Sequence, residues 1–166
     1  MDQIDQQIAR WHDDGKPQAI VTLVRVYGSA PQPLGARMAV TEDLQFIGAV
    51  SGGCVEGDVI SQASGVLSTG RHVLKTYGIS DEAAWDVGLA CGGTIEVFIE
   101  PFTAMHEAIL DLQHQQRLFC VITILSGPRM GEKQIVLPDG YSSSASSGLL
   151  SIGDLNHAVG RALSTQ

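Results

Sequence analysis

The chain has 166 residues, 44% of them apolar and 17% charged, with ten Lys+Arg against 18 Asp+Glu. That is about one domain with a core of its own, which excludes disorder, and a formal charge of −8 argues against non-specific binding to nucleic acid or to an anionic membrane surface. No apolar run approaches the ~20 residues of a membrane span, and no basic-then-apolar leader opens the chain. A cytoplasmic protein is expected, whose three cysteines do not form a secreted disulfide framework.

Residues 2–12 read as an amphipathic helix with Ile4, Ile8 and Trp11 on one face, stopped by Gly15 and Pro17. Residues 19–27 are rich in β-branched side chains and predict a buried strand. Residues 28–35 hold two prolines and two glycines and predict a loop. Residues 36–41 and 44–50 predict a strand pair turning at Glu42-Asp43. After a second loop at Ser51-Gly52-Gly53-Cys54, a helix face runs through Val59, Ile60, Ala63, Val66 and Leu67 to a stop at Gly70. Strands are predicted over 71–77 and 94–100, with loop or short helix over 80–89 between them. A helix over 103–117 is predicted to turn Ala104, Ala108, Ile109 and Leu112 inward.

The remainder repeats an earlier plan. Val21-Thr22-Leu23 matches Ile122-Thr123-Ile124, and each triplet precedes a Gly/Pro loop, at 28–35 and at 126–131. A second strand (38–40 and 135–137), a turn (Glu42-Asp43 and Asp139-Gly140) and a helix (55–69 and 154–164) follow in both. Residues 142–147 form a polar tract, expected to be a mobile loop. The expected fold is one α/β domain over 1–166. Its mixed sheet or sheets are flanked by helices in two weakly repeated strand–loop–hairpin–helix halves, about 17–101 and 118–165.

The chemistry concentrates in three segments. The first is Gly28-Ser29-Ala30-Pro31 through Gly35-Ala36-Arg37-Met38. Its prolines stiffen the loop, and Arg37 can donate a forked pair of hydrogen bonds to a phosphate. A wide hairpin with a surface arginine is the alternative. The second, Val50-Ser51-Gly52-Gly53-Cys54-Val55-Glu56-Gly57-Asp58, ends where a helix begins. Free N–H groups there suit an anion and favour a thiolate at Cys54; a buried structural cysteine is the alternative. The third is Gly88-Leu89-Ala90-Cys91-Gly92-Gly93-Thr94. Two thiols are too few for a closed zinc or iron–sulfur site. The histidines at 12, 72, 106, 114 and 157 show no ligand spacing and are expected at the surface or partly buried. Cys120 is expected in the core. Acids without bases flank both cysteine loops: four between Arg37 and Arg71, seven between Lys75 and Arg117.

Together these segments resemble the XdhC/CoxI family, accessory factors of xanthine dehydrogenase and related molybdenum hydroxylases. The likeness extends over about residues 10–165, carried by Gly-Gly-Cys-Val-Glu at 52–56 and Leu-Ala-Cys-Gly-Gly at 89–93. Gln32 and Leu34 stand where members often carry a basic residue and a proline. The resemblance implies an accessory chaperone rather than an enzyme: it binds the molybdenum cofactor (molybdopterin, with or without a nucleotide) transiently and assists its sulfuration and insertion into a hydroxylase apoenzyme. It makes Cys54 and Cys91 candidates for contact with molybdenum. Arg37, Gly52, Gly53, Gly92, Gly93 and Glu56 become candidates for holding the rest of the cofactor, Glu56 by orienting its neighbours. A cysteine desulfurase is a further partner it admits, and a homodimer is expected. Longer members carry a Rossmann-like second domain, and this chain is expected to be the type without it. Two other readings stand: a docking module that binds the hydroxylase without cofactor, and a two-cysteine thiol or redox protein. In each, the three loops should converge at one end of the sheet.

Overall fold

The fold is given by a computed structural model that describes residues 2–78 and 93–138 and the backbone of 142–144. The chain divides into two compact units, Met1–Leu110 and Asp111–Gln166.

In the first unit, β1 (Gln18–Tyr27) is the strand on which a five-stranded sheet is built. Its alternation decides the layers: Ala19, Val21 and Leu23 enter one core, Ile20 another. On one side it pairs with β2 (Arg37–Thr41), which pairs with the short β3 (Phe46–Gly48). On the other it pairs with β5 (Thr94–Pro101), which pairs with β4 (Val73–Tyr77). The spatial order is β3-β2-β1-β5-β4, and all the pairings are antiparallel, as short hairpin links between β1, β2 and β3 require.

A helix covers each face. α1 (Gln3–Asp13) is capped by Asp2, whose side chain accepts the Asp5 N–H at 2.8 Å. It lays Ile8 and Trp11 on Ile20 and Ala39. α2 (Glu56–Thr69) lays Val59, Ala63 and Val66 on Val21, Met38, Val97 and Ile99 of the opposite face. It ends at Gly70 in the left-handed conformation (φ 68°), where the Gly70 N–H reaches the Val66 carbonyl at 2.8 Å.

α3 (Ala104–His114) buries a different stripe from the one its apolar residues suggest. His106 and Leu110 are buried, Ala104 is exposed, and Ala108, Ile109 and Leu112 are half-buried. The first turn explains the rotation. The Thr103 N–H donates to His106 Nδ1 at 3.1 Å, His106 Nε2 lies 3.3 Å from the buried Glu100 carboxylate, and the ring stacks on Phe102. His106 is therefore a core histidine, against the expectation of a surface or partly buried one.

In the second unit, β6 (Cys120–Thr123), β7 (Lys133–Val136) and β8 (Ser142–Ser144) form an antiparallel sheet in that order. Two expectations are corrected here. Residues 142–144 are a strand rather than loop, because β7 supplies a ladder for their backbone regardless of side-chain polarity. Cys120 is exposed rather than core, since it opens β6, which among the described residues lies at the edge of its sheet and pairs only with β7.

The first hairpin of each unit closes with the same pattern of hydrogen bonds. Leu23 N–H bonds the Ala36 carbonyl at 2.9 Å and Gly35 N–H the Leu23 carbonyl at 2.9 Å. In the second unit Ile124 N–H bonds the Glu132 carbonyl at 3.0 Å and Gly131 N–H the Ile124 carbonyl at 2.8 Å. Thr22 faces Arg37 in one pair and Thr123 faces Lys133 in the other. The predicted segment 80–89, the turn at 139–140 and the helix over 154–164 lie outside the described residues.

Candidate functional site

Strand direction brings the three motif segments together. β1 and β4 end, and β2 and β5 begin, at the same end of the sheet: Tyr27 faces Thr94, Thr22 faces Arg37, and Tyr77 faces Ile95. β3 also points its last residue there, Gly48 opposite Met38. The loops after β1, after β3 and before β5 are thus gathered at one rim.

Two contacts tie them. A Cβ on Gly52 would sit 3.4 Å from the Pro31 ring, so the second loop lies against the first. A Cβ on Gly93 would run into the Ser29 carbonyl and lie 3.1 Å from the Tyr27 carbonyl, so Gly93, the last glycine of the third segment, passes flush against the first loop's backbone. Gly93→Ala therefore forces two backbones apart. It is expected to destabilise the fold by about 2 kcal/mol, measured by urea unfolding; an unchanged midpoint would contradict the close approach.

The second loop is organised from within. Val50, Ser51 and Gly52 N–H donate to Oε1 of Glu56 at 3.1, 2.8 and 3.1 Å. Gly53 and Val55 N–H donate to Oε2 at 2.8 and 3.3 Å, and the Ser51 hydroxyl donates to it at 2.5 Å. Ser51 Oγ accepts in turn from Cys54 and Val55 N–H at 3.1 and 3.0 Å. Gly52 and Gly53 make the curl possible, both at positive φ (76° and 112°). The helix start has no side-chain cap at Val55; Glu56, its first residue, supplies the negative charge that the helix N-terminus favours. Burial works to raise the Glu56 pKa, but the hydrogen bonds from Ser51 and Gly53 outweigh it and bring it from 4.5 down to about 2.

Of the predicted site residues, Cys54 is half-buried at this rim. Gly52, Gly53 and Gly93 are at the contacts just described, and Glu56 holds the loop from beneath. Arg37 is at the rim, but its guanidinium is taken by α1: Nη2 is 2.7 Å from buried Asp5 and 3.2 Å from Asp2. Cys91 and Gly92 lie outside the described residues. Two groups carried no role in the sequence reading. Ser51, fully buried, links Glu56 to Cys54; a serine five residues ahead of a helix-opening glutamate is the signal that would have found it. Tyr77 donates to Asp58 at 2.7 Å. Burial, that bond and the charges of Asp58 and Glu56 all push its phenol well above the ordinary value. That pair joins residues far apart in the chain, and nothing local signals it.

Elsewhere the surface offers less chemistry. Two clefts of about 360 and 340 Å³ lie around Lys16 and Pro17, which precede β1 and so sit at its opposite end. Among the described residues no cluster of His, Cys, Asp or Glu could hold a metal ion, and no helix is long and apolar enough to cross a membrane.

Comparison with known proteins places these motifs. Residues 11–78 match the XdhC and CoxI family. The molybdenum cofactor insertion chaperone PaoD of Escherichia coli (strain K12) is 44% identical over 82 residues, 49% of this chain and 25% of that protein. A protein of Bacillus subtilis (strain 168) described as a probable xanthine dehydrogenase subunit is 34% identical over 93 residues, 55% of this chain and 28% of that protein. The matched parts thus span about a quarter of the length of these curated relatives. A solved structure described as a xanthine dehydrogenase from Bacillus halodurans superposes with a TM-score of 0.71 at 25% identity, covering 87% of this chain and 45% of that one.

Proposed function

We propose that this chain, whose residues 11–78 match the XdhC and CoxI family, belongs to that family and acts as a molybdenum cofactor insertion chaperone for a xanthine dehydrogenase-type hydroxylase. The observation that carries the reading is the placing of Cys54. It stands half-buried on a preformed glycine turn, at the rim where the family's motif segments meet. The relative named as a cofactor insertion chaperone supports it across a stretch of 82 residues.

The residues present suit one end of the cofactor. Cys54 offers a soft sulfur, the ligand type that a heavier transition metal accepts. The cofactor, when bound, would supply the molybdenum centre, with Cys54 as a sulfur contact to it; assistance with its sulfuration before insertion is part of the same proposal. Cys91, which lies outside the described residues, is the second sulfur candidate on the strength of the Leu-Ala-Cys-Gly-Gly motif alone. The N–H groups of Gly52 and Gly53 and the guanidinium of Arg37 already hold carboxylates of the chain. Recognition of the cofactor's phosphate, and of any attached nucleotide, is accordingly assigned outside these groups. Of the acids flanking the cysteine loops, Glu56 and Glu100 are buried and Glu42 and Asp43 line the opposite end of the sheet, so a docking face for the hydroxylase is assigned to the remaining acids of those segments. Contact with a cysteine desulfurase, homodimer formation and a cytoplasmic location belong to the same proposal.

The test is anaerobic titration with molybdenum cofactor, followed by gel filtration and assay of retained metal and pterin. Wild type is expected to retain the cofactor stoichiometrically, with Cys54→Ala and Cys91→Ala losing at least about tenfold in affinity. Retention by both cysteine variants at wild-type level would reject the sulfur site. No retention by any protein, with hydroxylase apoenzyme still captured, would favour the docking module.

A further inference from the structure

The Cys54 loop spends its hydrogen-bond donors on the chain itself. Backbone N–H groups from Val50 to Gly53 converge on the Glu56 carboxylate. The Cys54 N–H goes to Ser51 Oγ at 3.1 Å, and the Ser51 hydroxyl is tied back to Glu56 at 2.5 Å. A curl of successive N–H groups at a helix start is the usual cradle for a phosphate; here a resident carboxylate fills it. Glu56 is 8% exposed and Ser51 0%, so both lie beneath the turn. Val55 is fully buried as well, and Gly52 and Gly53 have no side chains. The side chain that this turn leaves accessible is therefore that of Cys54.

We propose that Ser51 and Glu56 are positioning residues for Cys54. They hold the turn in one shape with its N–H groups directed inward, so the site meets its ligand through sulfur, at the metal end of the cofactor, and not through phosphate. The identity of the ligand rests on the function proposed above; the filled N–H cradle rests on geometry alone.

Two measurements on the full chain test it, each with the fold checked by circular dichroism. In the first, iodoacetamide modification of each cysteine is followed by mass spectrometry from neutral to alkaline pH. Removing Glu56 or Ser51 loosens the turn and removes a neighbouring charge or its link. Cys54 is therefore expected to react at least ~5-fold faster at neutral pH in Glu56→Ala and Ser51→Ala. Glu56→Gln, which keeps one acceptor oxygen, should fall between. Cys120, exposed on β6, is the internal reference and should not change.

In the second, the melting temperatures of wild type and Glu56→Ala are compared with and without millimolar inorganic phosphate. Phosphate should raise that of Glu56→Ala by more than that of wild type, because only the variant's vacated donors can take the anion. Equal Cys54 rates in the folded variants, or a phosphate effect no larger in Glu56→Ala than in wild type, would overturn the proposal. If Glu56→Ala does not fold, Ser51→Ala and Glu56→Gln carry the same comparison. Failure of wild type to retain cofactor would remove the proposed function while leaving both readouts standing.

Discussion

Replacing Glu56 by glutamine or alanine will cost this domain a large part of its stability at neutral pH, and the part of the cost that rests on the charge will disappear in acid. The carboxylate accepts from five backbone N–H groups and one hydroxyl. In Glu56→Ala the buried donors among them are left without a partner, at ~1–3 kcal/mol each before water relieves some. A net loss of about 3 kcal/mol is expected, or roughly 10 °C in melting temperature for a domain of this size. The pH dependence follows from the lowered pKa. A carboxyl at about 2 when folded and 4.5 when unfolded binds protons more tightly in the unfolded chain. Its contribution is complete above pH 4.5 and drains away as the pH falls toward 2. The stability difference between wild type and Glu56→Gln, taken from urea unfolding at a series of pH values, should therefore shrink below pH 4.5 and close near pH 2. A difference independent of pH would show that the charge on Glu56 is not what holds the loop.

Arg37→Ala will destabilise the fold through a residue far from it in sequence. Asp5 is 2% exposed, and the Arg37 guanidinium stands 2.7 Å from its carboxylate. Burial and the nearby Asp2 charge push the Asp5 pKa up, against the pull of Arg37. Removing the arginine leaves a buried carboxylate without its cation, at about 2–3 kcal/mol for a partner that is partly exposed. The Asp5 carboxyl's own contribution to stability has the opposite sign to that of Glu56, although both substitutions cost most at neutral pH. A carboxyl whose folded pKa is raised binds its proton more tightly in the folded state, so it favours folding at low pH and loses that contribution as the pH rises through the folded value. Arg37→Ala should consequently be most damaging at neutral pH and milder in acid. Adding Asp5→Asn should recover most of the loss, in a double-mutant cycle of unfolding free energies. A large Arg37→Ala effect that Asp5→Asn does not relieve would mean that the arginine serves something other than α1.

The two effects explain how much of this molecule could be read in advance. α1, β1, β2, α2 and β5 were legible because each carries its own periodicity: Ile4, Ile8 and Trp11 along a helix face, Val21 and Leu23 alternating in a strand, Gly70 at a helix end. That the motif loops should converge was expected from the sequence, but only the first two are gathered by successive hairpins; the segment before β5 reaches the rim through the pairing of β5 with β1, far along the chain. α3 was misread. Its buried stripe is set by His106 against Glu100 and Phe102, and a histidine weighs little in an apolar count. Cys120 was misread because apolar neighbours in sequence do not reveal which strand lies at an edge.

The site divides along the same line. The cysteine motifs and the family they resemble come from short contiguous runs, where residue type and spacing are sufficient. What the donors around that thiol face is another matter. Arg37 and the N–H groups of residues 50–53 look, as a string, like the makings of a phosphate site. Folded, they are matched by Asp5 and Glu56. A donor's capacity to bind is a property of the residue, but whether it is free depends on which carboxylate packing brings beside it. Only the docking of α1 on β2 and the curl of the loop over Glu56 decide that.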